Sequence, residues 1–330
     1  MKLNNFAFFP PIDLTKKDLI NRLKNDFPQI NILIFENEDE VIKNIHIIDA
    51  GYGWVSPESI KNAKNLKWLA NPDSGSFVND SGKDGWFYKE LIDHPVIVTN
   101  PKGIYFDYIG NHVMAYILSL SKRFPDFFDA QRKNIWDKKA NKHKAIHLDE
   151  STVMIVGSGG IGQEVGRLCK AFNMKVIGVD PKFKSLKNFD TVITQNKIKD
   201  YINEIDFLVS TVMHTPETEN MFNLELFKKM KSSSVFINVG RGKTANLKDL
   251  SYAINNNIIS GAGLDVFDQE PLPEGHELWS TKGVIITPHV ALLDAGETIT
   301  NRRYEIIKDN INLLNQGKEL KNIVDKEKWY

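Results

Sequence analysis

Residues 152–180 read TVMIVGSGGIGQEVGRLCKAFNMKVIGVD, and this stretch leaves the chain little conformational choice. A β-branched run predicts a strand, a glycine-rich turn follows, a helical pattern comes next, and a second strand ends in Asp180. Gly157, Gly159 and Gly162 stand at the spacing GxGxxG within that strand–turn–helix context. Gly157 allows the tight turn, Gly159 lets backbone approach a pyrophosphate, and Gly162 permits close packing of helix on sheet. The helix N-terminus adds N–H groups that suit phosphate. A dinucleotide is therefore the expected ligand. A carboxylate at Asp180 can accept both adenosine ribose hydroxyls and would repel a 2′-phosphate. NAD(H) is thus expected over NADP(H), although the basic Lys182 and Lys184 follow at once in PKFK.

The βα alternation extends along the chain. KLNNFAFF, INILIF, IHIIDA, LKWLAN and PVIVTN predict strands in the first hundred residues. Helices are expected after Thr15 and after Ser56, each a candidate N-cap, with Pro57 at the first helical position of the second. Residues 108–123 predict a helix too apolar for an ordinary surface position, one buried between domains or subunits. The fold class is α/β with parallel sheets, and 330 residues suffice for two domains. The 42 Lys+Arg balance 42 Asp+Glu, which gives no support to bulk nucleic-acid binding. The single Cys169 sits in a helical pattern and allows no intrachain disulfide. No apolar run reaches bilayer length, and no membrane association is expected. The default location is the cytoplasm.

Three residues fall just past predicted strands, where ligands bind in open α/β sheets. They are Arg241 after SSSVFINVG, Glu270 after GAGLDVF, and His289 in ITPHVA. An arginine offers a planar fork to a carboxylate. A histidine donates or accepts a proton near neutrality, and a neighbouring carboxylate raises its pKa. Beside a nicotinamide, this set suits hydride transfer to a carbonyl with histidine delivering the proton. No metal is expected, because the eight histidines are scattered and HExxH is missing. The GxSxG elbow of a serine hydrolase is missing too.

VGSGGIG, DFLVSTVMHTPET, INVGRG, GAGLDVFDQEPLP and ITPHVA, in this order, resemble the D-isomer-specific 2-hydroxyacid dehydrogenase family. QRKNIW and EPLPEGHELW resemble its glyoxylate/hydroxypyruvate reductase subgroup. The resemblance implies two Rossmann-like parallel-sheet domains, the NAD-binding domain inserted in the substrate domain. Residues 1–118 and 296–330 would form the substrate domain and 119–295 the NAD-binding domain. It implies Arg241 as carboxylate anchor, Glu270 as the partner of His289, and His289 as acid/base. The amides of Gly75 and Ser76 would hold the substrate carboxylate. Gly160 and Ile161 would join the glycine turn in holding the cofactor. Val212, Met213 and Thr218 would contribute from one further loop, Val239 and Gly240 from another, and Asp265 near the nicotinamide. Asp268 has no expected role, and His112 is expected to serve helix–helix packing or an interface. The implied activity is reduction of a small 2-oxo acid to a D-2-hydroxy acid, or the reverse, by a homodimer. Variants on that theme are an NADP-preferring reductase, a phosphoglycerate dehydrogenase-like enzyme and a non-enzymatic NAD sensor.

Overall fold

The computed structural model describes residues 2–72, 77–78, 84–85, 88–136, 138, 145–292 and 296–327. The chain forms two compact units, Met1–Ile104 with Ala295–Tyr330, and Tyr105–Asp294.

In the first unit, β1 (Asn5–Phe8), β2 (Asn31–Ile34), β3 (Ala50–Tyr52), β4 (Trp68–Ala70) and β7 (Ile97–Thr99) form a five-stranded sheet in the order β2-β1-β3-β4-β7. Every pair in it is parallel. The two-residue strands β5 (Phe77–Val78) and β6 (Asp84–Gly85) pair antiparallel apart from it. The helices are α1 (Leu14–Asp26), α2 (Glu38–Asn44), α3 (Pro57–Lys61), α4 (Lys89–Asp93) and the returning α11 (Gly296–Asn315). Alternation along β1 sorts the core. Phe6 and Phe8 pack with Trp68, Leu19 of α1 and Ile307 and Ile311 of α11, whereas Ala7 and Phe9 pack with Val41, Ile60 and Leu91. Tyr304 and Lys308 on α11 both donate to Asp26 of α1, at 2.7 and 2.6 Å.

Two local expectations need correction. The cap of α1 is Asp13, whose carboxylate accepts from the Lys16 N–H at 2.8 Å, so Thr15 lies inside the helix. In IHIIDA, Ile45–Ile47 form a 3-10 turn and the strand starts only at Ala50. Ile45 and Ile48, three residues apart, are both buried, a helical spacing hidden within an apolar run.

The second unit carries β8 (Thr152–Val156), β9 (Lys175–Val179), β10 (Thr191–Ile193), β11 (Phe207–Ser210), β12 (Val235–Asn238), β13 (Gly261–Leu264) and β14 (Val284–Ile286). All pair parallel, in the order β10-β9-β8-β11-β12-β13-β14. Strand order reverses between β8 and β11, which makes a crevice at their carboxyl ends. Covering helices are α5 (Phe106–Ser121), α6 (Phe124–Arg132), α7 (Gly160–Ala171), α8 (Ile198–Tyr201), α9 (Leu224–Phe227) and α10 (Leu247–Asn255). The division falls at 104/105 and not inside this helix at 118, because Val113, Met114, Ile117 and Leu120 of α5 share one core with β8 and β11. Cys169 of α7 lies in that core, and burial pushes its thiol up to about 12, which makes it inert as a nucleophile.

Candidate active site

The glycine turn follows β8 at the crevice. Gly157 has φ +91°, and a Cβ there would meet Val212 Cγ1 at 2.9 Å. A Cβ on Gly162 would stand 2.2 Å from the Gly157 carbonyl oxygen, and one on Gly160 would strike the Phe106 ring at 1.8 Å. Gly159 differs: nothing lies within 4 Å of its missing Cβ. It is also the N-cap of α7 and supplies no capping side chain, so the first N–H groups of the helix receive no acceptor from it. An open glycine, a helix N-terminus and an acid after β9 together fit the phosphates and ribose of a dinucleotide.

The other expected cofactor residues divide by position. A Cβ on Gly240 would meet the Val212 carbonyl oxygen at 2.4 Å, so the loops after β11 and β12 touch backbone to backbone beside the turn. Thr218 donates to the Met213 carbonyl at 2.7 Å and accepts from the Thr215 N–H at 2.7 Å, which locks the loop after β11. Ile161 packs on the core beneath α7, and Val239 is buried in it. Asp180 is half-buried, and its Oδ1 accepts from the Lys182 N–H at 2.9 Å.

Arg241, Glu270 and His289 come together at the ends of β12, β13 and β14. Asn238 shapes the Arg241 turn: its side-chain amide donates to the Arg241 carbonyl at 3.1 Å and its Oδ1 accepts from the Gly240 N–H at 3.1 Å. Gly242 lets the segment after β13 cross this turn, since a Cβ there would fall 1.8 Å from the Phe267 carbonyl carbon. Glu270 Oε1 accepts from the Phe267 N–H at 2.9 Å, and its Oε2 lies 2.8 Å from His289 Nδ1. His289 sits at φ +54°, a left-handed conformation uncommon for a residue other than glycine.

The hydrogen bond to Glu270 raises the His289 pKa, against burial and the nearby Arg241 charge. Burial pulls Glu270 upward, but its bonds to His289 and to the Phe267 N–H outweigh that and hold it below its ordinary value. The arrangement therefore favours imidazolium against carboxylate, with Nε2 left for other partners.

Asp265 is 1% exposed and binds the turn that carries His289. It accepts from Thr287 Oγ1 at 2.5 Å, the Val290 N–H at 2.8 Å and the Ala291 N–H at 3.1 Å. Asp268 is exposed and accepts from its neighbour Gln269, outside this cluster. His112 does more than pack: its Nε2 lies 3.0 Å from Thr287 Oγ1 and 3.6 Å from Asp265 Oδ1. Its spacing to Tyr116, one helical turn on, was the available sequence signal. Gly75 and Ser76 lie outside the described residues. Among the described residues no group of three or more His, Cys, Asp or Glu could hold a metal ion. No described helix is long and apolar enough to cross a membrane.

Residues 114–291 match the family model described as "D-isomer specific 2-hydroxyacid dehydrogenase, NAD binding domain". A glyoxylate reductase of Pyrococcus furiosus is 28% identical over 93% of this chain and 92% of its own length. A D-isomer specific 2-hydroxyacid dehydrogenase of Xanthobacter autotrophicus, solved with NADPH and MES, superposes with a TM-score of 0.84 at 23% identity, over 99% of this chain and 100% of that one. An NADPH-dependent glyoxylate/hydroxypyruvate reductase of Sinorhizobium meliloti, solved with NADP and sulfate, gives 0.79 at 22% identity over 99% and 100%. At such identities the likeness is one of fold. The expectation of NAD(H) over NADP(H) is nevertheless overturned, since these two proteins and a probable 2-hydroxyacid dehydrogenase of Rhizobium etli hold NADPH or NADP. The physical reason lies at Asp180, which is turned toward its own backbone and followed by the exposed Lys182 and Lys184, so charge repulsion alone does not decide. With the family model spanning more than half its length, the chain belongs to the D-isomer specific 2-hydroxyacid dehydrogenase family, nicotinamide-dependent oxidoreductases of small 2-oxo and 2-hydroxy acids.

Proposed function

We propose that this enzyme reduces glyoxylate or hydroxypyruvate to the corresponding 2-hydroxy acid, with Arg241, Glu270 and His289 as its catalytic residues. The observation that carries the reading is the 2.8 Å His289–Glu270 pair beside Arg241, at the carboxyl end of a dinucleotide-binding sheet. The names of sequence relatives, glyoxylate reductases and glyoxylate/hydroxypyruvate reductases, support the substrate class.

A nicotinamide dinucleotide held by the Gly157–Gly162 turn and Asp180 would supply a hydride to the substrate carbonyl, whose oxygen would take up the negative charge. Arg241 anchors the substrate carboxylate and polarises that oxygen. His289 then gives its Nε2 proton to the oxygen, and Glu270 stabilises the imidazolium beforehand and fixes its ring through Nδ1. Asp265 holds the backbone that carries the ring. In the oxidative direction the same histidine accepts the proton. NADPH is at least as fitting a donor as NADH. We place the enzyme in the cytoplasm and propose that it is a homodimer.

The test is oxidation of NADPH and NADH, side by side, against glyoxylate, hydroxypyruvate, pyruvate and bulkier 2-oxo acids. Glyoxylate or hydroxypyruvate should give the highest kcat/KM. His289→Ala should lower turnover by roughly 100-fold or more while dinucleotide binding is kept. Near-normal turnover in His289→Ala would remove the acid/base assignment.

A further inference from the structure

We infer that His112 and Tyr116 of α5 are positioning residues, which act through the Thr287 hydroxyl to hold the turn that carries His289. The inference deepens the reading of His289 as the acid/base and rests on it. Three contacts converge on one oxygen. Thr287 Oγ1 lies 2.5 Å from Asp265 Oδ1, 2.5 Å from the Tyr116 hydroxyl and 3.0 Å from His112 Nε2.

Proton counting orders this cluster. A threonine hydroxyl has one hydrogen and two lone pairs. Its hydrogen is donated to Asp265. Tyr116 and His112 must then both donate, so the Thr287 oxygen is saturated and His112 carries its proton on Nε2. Burial raises the Tyr116 hydroxyl well above its ordinary value, opposed by the Thr287 bond, so it stays a donor across the working range. Burial lowers the His112 pKa more than the nearby Asp265 charge raises it, which favours the neutral Nε2–H ring.

The packing is built for this contact. Tyr116 is 3% exposed, and its ring lies against β13 where the sheet has Gly263, whose missing Cβ would stand 2.6 Å from Tyr116 Cγ. The His112 ring meets Tyr116 edge-on, with centroids 4.7 Å apart. Thr287 is two residues before His289, and Asp265 grips the turn again at Val290 and Ala291. The left-handed His289 backbone is thus pinned on both sides. A residue in so uncommon a conformation needs such support to persist. The same helix brings Phe106 against Gly160, so α5 braces the glycine turn and the acid/base turn together.

The test uses the full chain with its best 2-oxo acid. Tyr116→Phe and His112→Leu should each lower kcat by roughly 10- to 100-fold, the scale of a misplaced catalytic group. The KM for the dinucleotide should stay near wild type. The alkaline limb of reduction should move to lower pH, because His289 depends on alignment with Glu270, the charged neighbours Arg241 and Asp265 being unchanged. His112→Gln, which can present an N–H in place of Nε2, and Thr287→Ser should recover most of the activity. Circular dichroism checks folding, and these two conservative variants keep the test decisive if a disruptive one fails to fold. Wild-type kcat and pH profile in both Tyr116→Phe and His112→Leu, with His289→Ala inactive, would overturn the bracing role alone. An active His289→Ala would overturn the underlying reading instead.

Discussion

Glu270 and Asp265 are both carboxylates of GLDVFDQEPLP, yet they have opposite environments. Asp265 is buried and saturated with hydrogen bonds from the turn around His289, whereas Glu270 reaches the ring itself. Glu270→Gln leaves the Phe267 bond possible but removes the charge that raises the His289 pKa. The imidazolium then loses its proton earlier, so the alkaline limb of 2-oxo acid reduction should move to lower pH, as read from kcat against pH with a saturating donor. An unchanged limb would take Glu270 out of the pairing role. Stability follows the same signs. His289, raised on folding, contributes below its ordinary pKa and loses that contribution as pH rises through its folded value. Glu270, lowered on folding, contributes above its ordinary pKa and loses it as pH falls. With side chains 53% and 37% exposed, solvent keeps both contributions small. That Arg241, Glu270 and His289 lie near one another was legible in the sequence because each follows a predicted strand end. The role of His112 was not, because it depends on where Thr287 sits, 175 residues away.

At the scale of the element, the glycine turn makes a sharp contrast between neighbours. Gly162 is needed by the fold, since any Cβ would press on the Gly157 carbonyl at 2.2 Å. Gly159 has ordinary backbone angles and empty space, so the fold alone does not require it. Gly162→Ala should therefore cost about 1–3 kcal/mol of unfolding free energy, an overpacking penalty, measured by urea titration of the free protein. Gly159→Ala should leave that titration near wild type but weaken dinucleotide binding roughly tenfold or more, because the methyl occupies the place of the approaching phosphates. Equal stability losses in the two variants would contradict the division of roles. The βαβ unit was legible because strand, turn and helix signals agree there. IHIIDA misled because a short apolar run has no distinguishing period, and Thr15 lost the cap to Asp13, whose carboxylate reaches the N–H three residues on.

At the scale of the molecule, the sequence pattern made α5 too apolar for the surface, and much of that is explained inside the second unit by its packing on α7 and β13. The boundary near it was less legible, because a run of apolar residues does not say which of two sheets it will cover. What packing within the unit leaves unexplained is the next segment. Phe124, Phe127 and Phe128 on α6 are 45%, 38% and 48% exposed, Leu118 on α5 is 36% exposed, and Trp136 beyond α6 is 93% exposed. Single exposed apolar side chains are ordinary, but grouping within one segment marks an interaction surface. Each of these phenylalanines is already more than half buried, so completing its burial against a second copy would add roughly 1 kcal/mol toward association. The proposed homodimer should therefore use α6, and light scattering after size exclusion should give twice the 37.6 kDa chain mass. Phe124→Asp with Phe128→Asp should shift that mass to the monomer. The circular dichroism spectrum should be retained, because neither ring belongs to the buried core. A wild-type protein that stays monomeric at about 100 µM would overturn the dimer, and a double variant that remains dimeric would move the interface away from α6.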